Sequence, residues 1–271
     1  MFIDVNGATY AYTMQGEGEA LILLHGFTGS KQTWKTFAHK WQDRFQVITI
    51  DLPGHGETVT NRPRTMEMVV DDLREVLQQL MIKRAHFVGY SMGGRTALAY
   101  ALTYPETVLT LTLESASPGL ASHVDRAKRR QSDRQLIERL KSDGLKSFID
   151  FWENIPLFTT QKQLPKDVQA TIRKERLSQS PAGLSESLFY MGTGQQPSLW
   201  NDLQSLQRHV LLIVGKQDEK FVHLNEQMEQ YLPKATLKVI EHAGHTVHLE
   251  RPEQFYDEVT TFIQTNKNNY I

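Results

Sequence analysis

Cysteine is absent from the chain. That absence excludes a disulfide framework, a thiolate nucleophile and any cysteine-ligated metal. An excess of charge of one sign is also missing. The formal net charge is -1 at pH 7, which gives no general attraction to nucleic acid or to a membrane surface. No apolar run approaches the ~20 residues of a membrane span. The opening Met1-Phe2-Ile3-Asp4-Val5-Asn6-Gly7 lacks the basic-then-apolar order of a secretory leader. A cytoplasmic protein is expected, monomer or homodimer, with no membrane insertion and no nucleic-acid partner. What is present is 271 residues, 39% of them hydrophobic. That suffices for one large α/β domain, or for a core carrying an inserted subdomain.

The apolar pattern then sets the order of elements. Residues 2–5 and 9–13, separated by Asn6-Gly7, read as a hairpin. Residues 20–24 are continuously apolar, as in a strand buried on both faces of a parallel sheet. Further strands are expected at 45–50, 85–90, 108–114, 209–215 and 235–240. Helices are expected at 31–42, 66–80, 96–102 directly after the Gly-x-Ser-x-Gly turn, 222–231 and 253–265. Alternating strands and helices imply a mostly parallel central sheet with flanking helices. Between 117 and 207 no buried strand is evident, only helical stretches and polar loops. The chain therefore divides into a first core part (1–116), a helical cap insertion (117–207) and a second core part (208–271). Such a cap would cover the C-terminal edge of the sheet, where open α/β folds place their sites. The last residues, 266–271, look frayed.

Gly89-Tyr90-Ser91-Met92-Gly93 joins the strand at 85–90 to a helix. This Gly-x-Ser-x-Gly turn has the form of a nucleophile elbow, with a serine hydroxyl held at its tip. Gly89 and Gly93 fit a strand-helix contact too tight for a side chain. Serine chemistry also needs a base, an orienting acid and an oxyanion hole. Asp218 and His245 each follow an expected strand, and the order Ser91, Asp218, His245 suits a triad on such a sheet. The backbone N–H groups of Met92 and Phe27 are the expected oxyanion donors. His25 and His55 lie near the same edge and read as loop-organising residues bonded to backbone. No metal or other cofactor is expected.

Arg95 lies one helical turn beyond Ser91 in a small, apolar helix. A buried arginine there needs either a core carboxylate or an anionic ligand. Residues 126–141 carry seven basic side chains, most of them fitting a solvated face. Arg129, one heptad before Leu136, falls on the apolar side with Ile137 and Leu140. Val168, Ile172 and Arg176 share a line at i, i+4 and i+8, leaving Arg173 toward water. Three inward arginines beside a serine point to a small-molecule polycarboxylate substrate.

His25-Gly26, Asp51-x-x-Gly54-His55-Gly56, Gly89-x-Ser91-x-Gly93-Gly94, Asp218 and Gly244-His245 resemble the α/β-hydrolase superfamily along the full length. The stretch Gly89-Tyr90-Ser91-Met92-Gly93-Gly94-Arg95 resembles a narrower family, MenH. So do Pro118-Gly119-Leu120, Arg129-Arg130-Gln131-x-Asp133, Phe151-Trp152, Pro156-Leu157-Phe158 and Met191-Gly192-Thr193-Gly194-Gln195-Gln196-Pro197-Ser198. The resemblance implies an α/β-hydrolase fold and 2-succinyl-6-hydroxy-2,4-cyclohexadiene-1-carboxylate synthase activity in menaquinone biosynthesis, a pyruvate elimination. It also implies that Tyr90 and Trp152 contact substrate, a packing role being the alternative for each. A serine hydrolase acting on an acidic ester or a C–C bond would use the same triad. A non-catalytic ligand-binding member of the fold is the third reading.

Overall fold

The computed structural model describes residues 1–266. Its sheet contains β1 (Phe2–Val5), β2 (Ala8–Gln15), β3 (Ala20–Leu24), β4 (Gln46–Ile50), β5 (Val59–Thr60), β6 (Ala85–Tyr90), β7 (Val108–Glu114), β8 (His209–Gly215) and β9 (Ala235–Ile240). Among the described residues the helices are α1 (Lys35–Trp41), α2 (Met66–Gln79), α3 (Met92–Thr103), α4 (His123–Trp152), α5 (Lys166–Leu177), α6 (Pro181–Met191), α7 (Glu219–Tyr231), α8 (Val247–Glu250) and α9 (Pro252–Asn266).

The strand order is β1-β2-β4-β3-β6-β7-β8-β9, with β5 paired to β2. Pairs from β4 to β9 are parallel, and those involving β2 are antiparallel. The buried strands need apolar side chains on both faces, and the period of two divides them. Ile22 and Leu24 of β3 enter one core with Phe87 of β6 and the apolar sides of α2 and α3. Leu21 and Leu23 enter the opposite core with Val88, Trp34, Trp41 and the α9 residues Phe255, Val259 and Ile263. Each fully buried Leu or Ile stabilises by ~1.5–3 kcal/mol relative to an exposed one.

β7 and β8 are neighbours in the sheet, yet about ninety residues separate them in the chain. That excursion carries α4, α5, α6 and two 3-10 helices, and it has a small core of its own. Ile137, Leu140, Phe148, Ile149, Leu184 and Leu188 pack together, with Phe27 and Trp152 against them. α4 is broken at Gly144, whose φ of 76° and ψ of 170° are not helical.

Local departures from the sequence pattern have simple causes. The helix expected at 31–42 opens as a 3-10 turn (Lys31–Trp34) capped by Ser30 before α1 begins. The short β5 and α8 are too brief to register as periodic runs. Asn266 is buried and ends α9 with its side chain donating to the Phe262 carbonyl. Residues 267–271, the rest of the stretch expected to fray, lie outside the described residues.

Candidate active site

β3 and β6 lie side by side, Leu24 opposite Gly89. From β3 the chain moves to β4 on one side, and later runs from β6 to β7 on the other. The crevice above such a reversal point is where open α/β sheets place ligands. Here it receives the loop after β3, with Phe27, and the turn after β6, with Ser91.

Ser91 has φ 50° and ψ -103°, a conformation side chains rarely adopt. Such strain costs ~1–3 kcal/mol and persists only where the surroundings enforce it. They do so here. The Ser91 N–H donates to Glu114 O at 2.8 Å, and the Ser91 carbonyl accepts from Arg95 N–H at 2.9 Å. A Cβ on Gly93 would stand 2.2 Å from Leu24 O, so the helix can approach β3 only through glycine. Met92 opens α3, whose first-turn N–H groups lack an intrahelical acceptor.

Asp218 occupies the N-cap position of α7, where aspartate would ordinarily cap with its side chain. No such cap forms. Its Oδ2 lies 2.6 Å from His245 Nδ1 instead. An ionised carboxylate only accepts, so Nδ1 carries the proton and Nε2 faces Ser91 Oγ, 3.3 Å away. Asp218 and His245 are both buried. Their two loops meet because Gly215 allows it: a Cβ there would stand 2.1 Å from Gly244 O. Glu250 then fixes the histidine loop. Its carboxylate accepts from Gly244 N (2.7 Å), Thr246 N (3.3 Å), Thr246 Oγ1 (2.7 Å) and Thr160 Oγ1 of the inserted region (3.0 Å).

A cavity of about 230 Å³ opens at this point, lined by Ser91, His245, Met92, Phe27, Tyr90, Trp152, Phe158, Arg95, Arg129 and Lys220, among others. Tyr90 is buried, which pushes its hydroxyl well above the usual tyrosine range and keeps it protonated. Trp152 Nε1 and Ser115 Oγ are buried and have no partner among the described residues. Both side chains line the cavity, which therefore holds unspent polar groups.

The arginines divide. Arg95 is buried, and its Nη1 donates to Met191 O (3.0 Å) and to Gln196 Oε1. Burial, reinforced by the nearby charge of Arg129, pushes its guanidinium down to about 9. Arg129 is half-exposed and pairs through Nε with Asp133 at 2.8 Å. Burial raises the Asp133 carboxyl while Arg129 opposes that rise. Arg130 turns away to Gly194 O.

Arg176 does not line the Ser91 cavity. It lines a neighbouring one of about 330 Å³ whose wall of Phe27, Tyr90 and Phe158 is shared with the first. Its guanidinium lies 4.9 Å over the Phe158 ring and donates to Gln161 Oε1 at 3.0 Å. The i, i+4, i+8 line does place Arg176 inward, against Phe158 on the wall that the two cavities share. Arg173 is partly exposed and bonded to Asp150 and Glu153.

His25 and His55 bond to backbone. His25 Nδ1 faces Gly26 O (2.8 Å) and its Nε2 accepts from Leu52 N (3.0 Å), while His55 Nδ1 faces Pro53 O (3.1 Å). Burial lowers both, His55 to about 3, so neither carries charge near neutrality.

Sequence reasoning passed over Lys220, Glu250 and Glu175, and it named Gln196 within a family motif without giving it a role. Lys220 had a usable signal: it lies two residues past Asp218, in the first turn of the following helix. Glu175 had none. Its Oε1 accepts from Ser30 N (2.8 Å), Ser30 Oγ (2.7 Å) and Thr33 Oγ1 (2.8 Å), tying α5 to the loop that carries Phe27.

The sheet, the elbow and the inserted helices define a class. A family model for the alpha/beta hydrolase fold matches residues 19–252, and the chain belongs to that family. A Bacillus subtilis (strain 168) protein provisionally named 2-succinyl-6-hydroxy-2,4-cyclohexadiene-1-carboxylate synthase is 43% identical over 263 residues, covering 95% of this chain and 96% of the relative. The enzyme of that name from Serratia proteamaculans (strain 568) is 30% identical over 252 residues, covering 92% and 95%. The solved structure of MenH from S. aureus superposes with a TM-score of 0.92 at 35% identity, covering 96% of this chain and 99% of that one. Within the hydrolase fold, the chain is a member of the MenH family.

Proposed function

We propose that this chain is a cytoplasmic lyase of menaquinone biosynthesis. It converts 2-succinyl-5-enolpyruvyl-6-hydroxy-3-cyclohexene-1-carboxylate into 2-succinyl-6-hydroxy-2,4-cyclohexadiene-1-carboxylate and pyruvate. The observation that carries the reading is one cavity lined both by Ser91 and His245, the latter backed by Asp218, and by the cations Arg95 and Arg129. A simple esterase has no need of those cations, whereas this substrate has three carboxylates.

In this mechanism Ser91 Oγ removes the ring proton α to the succinyl ketone as its own proton passes to His245 Nε2. Asp218 stabilises the imidazolium so formed. Negative charge moves to the ketone oxygen, where the Phe27 and Met92 N–H groups receive it. The electrons return through the ring: the double bond shifts by one position and the bond to the enolpyruvyl oxygen breaks. The leaving enolate takes up the proton and becomes pyruvate, so no water is consumed. Arg95 and Arg129 hold carboxylates beside the ring, and Arg176 receives the arm that reaches past Phe158. Tyr90 and Trp152 line the substrate's path.

The 3.3 Å between Ser91 Oγ and His245 Nε2 favours one second reading. A preformed triad also suits a serine hydrolase acting on an acidic ester or C–C bond. The test is to incubate the protein with the enolpyruvyl-cyclohexene substrate, and separately with a succinyl ester, following pyruvate and acid release. Pyruvate in step with substrate loss is expected. Ester hydrolysis without pyruvate would replace the lyase reading with the hydrolase one.

A further inference from the structure

Most buried cations among the described residues are paired with a carboxylate. Arg64 pairs with Asp72 at 2.7 Å, and Lys31 pairs with Asp51 at 2.7 Å. Arg95 is as deeply placed, but its hydrogen bonds go to two neutral oxygens, the Met191 carbonyl and the Gln196 side chain. Arginine only donates, so the atom facing it must be the amide oxygen, which leaves Nε2 on the far side. There Gln196 Nε2 is buried without a partner. Gly119 makes the room for it, since a Cβ at that glycine would stand 2.8 Å from Nε2. A glutamate in the same place would pair with Arg95 and remove the stranded amide donor. The chain instead keeps an arrangement that costs stability twice: a buried cation with no carboxylate in hydrogen-bond contact, Asp133 opposing its charge only from farther off, and an unsatisfied N–H.

We infer that Gln196 is a positioning residue of the anion site. It aims Arg95 from the inserted region through a neutral oxygen, so that the guanidinium keeps its whole charge for a substrate carboxylate. The inference rests on the polycarboxylate reading above and adds to it the reason for an amide at this position. It also makes the anion site a joint product of core and insertion, because Arg95 belongs to α3 while its acceptors are Met191, the last residue of α6, and Gln196 just beyond it.

Two near-isosteric variants separate charge from shape: Gln196→Glu and Gln196→Met. Three quantities are measured for each: melting temperature, its rise with propane-1,2,3-tricarboxylate, and kcat and KM for pyruvate release. Gln196→Glu should melt higher than wild type yet lose the tricarboxylate-induced rise. Its KM should increase by about tenfold to a hundredfold, the range of a charge-assisted contact, with a smaller change in kcat. Gln196→Met should melt lower, through the lost acceptor, but keep much more of the affinity because Arg95 stays charged. A lower melting temperature in Gln196→Glu, an unchanged KM, or equal loss of affinity in both variants would each overturn the inference. So would a wild-type protein that the tricarboxylate does not stabilise. If wild type releases no pyruvate, the lyase reading fails while the melting measurements still decide the role of Gln196.

Discussion

Replacing Arg95 by methionine sets stability against activity at one position. Arg95 is 8% exposed, and burial pushes its guanidinium down to about 9. At about 1.4 kcal/mol per pH unit, holding the charge there costs roughly 5 kcal/mol against an ordinary arginine. Methionine removes that cost, but it strands Met191 O and Gln196 Oε1, each worth ~1–3 kcal/mol when buried without a donor. These terms largely offset each other, so Arg95→Met should change stability by no more than about 3 kcal/mol. Activity should not be spared: one lost carboxylate contact lowers kcat/KM by about tenfold to a hundredfold. The pH dependence has a definite sign. A cation whose folded-state value is depressed carries its full burial cost below about 9 and sheds it progressively as pH rises from there toward the ordinary arginine range. The relative advantage of Arg95→Met is therefore greatest below that pH. In wild type, KM should rise as pH climbs through the same window and the charge is lost. Denaturant unfolding and steady-state kinetics across that range make the assay. Strong destabilisation with unchanged kcat/KM would mean that Arg95 serves the fold and not the substrate.

Other perturbations separate the remaining parts of the site. Glu250→Gln weakens the loop that presents His245, so kcat should fall by about tenfold to a hundredfold with KM little changed; equal kcat would remove Glu250 from the positioning of the triad. Lys220 is exposed at the cavity and makes no ion pair among the described residues. Lys220→Met should therefore raise KM by about tenfold while leaving the melting temperature alone, and an unaltered KM would place it outside the substrate's reach. Gly93→Ala puts a methyl 2.2 Å from Leu24 O, and should lower stability by ~3 kcal/mol or prevent folding, as measured by soluble yield and melting. A well-folded Gly93→Ala enzyme would contradict the close strand-helix approach.

Much of the fold was legible because its signals are local. A run such as Ala20–Leu24 has no polar residue to offer water, so burial on both faces is its simplest fate. The elbow was legible for a related reason, since glycine on both sides of a serine is a steric statement about backbone approach. The placement of Arg176 was not fully legible. Helical periodicity gives the direction in which a side chain leaves its helix, and not what lies in front of it; Phe158, from a different segment, decides that. Gln196 and Glu175 were illegible for the same reason. Their acceptor oxygens act on α3 and on the loop after β3, contacts that no sequence spacing encodes. Lys220 was overlooked although its place just after Asp218 was readable.

The central claim is that Ser91 acts as a base on carbon and not as a nucleophile on a carbonyl. Single-turnover pyruvate release from substrate deuterated at the ring carbon α to the succinyl ketone tests it most directly, with Ser91→Ala alongside. The account predicts slower release from the deuterated substrate, loss of turnover in Ser91→Ala, and no adduct on the intact protein mass. Isotope-insensitive release accompanied by an acyl adduct on Ser91 would contradict it.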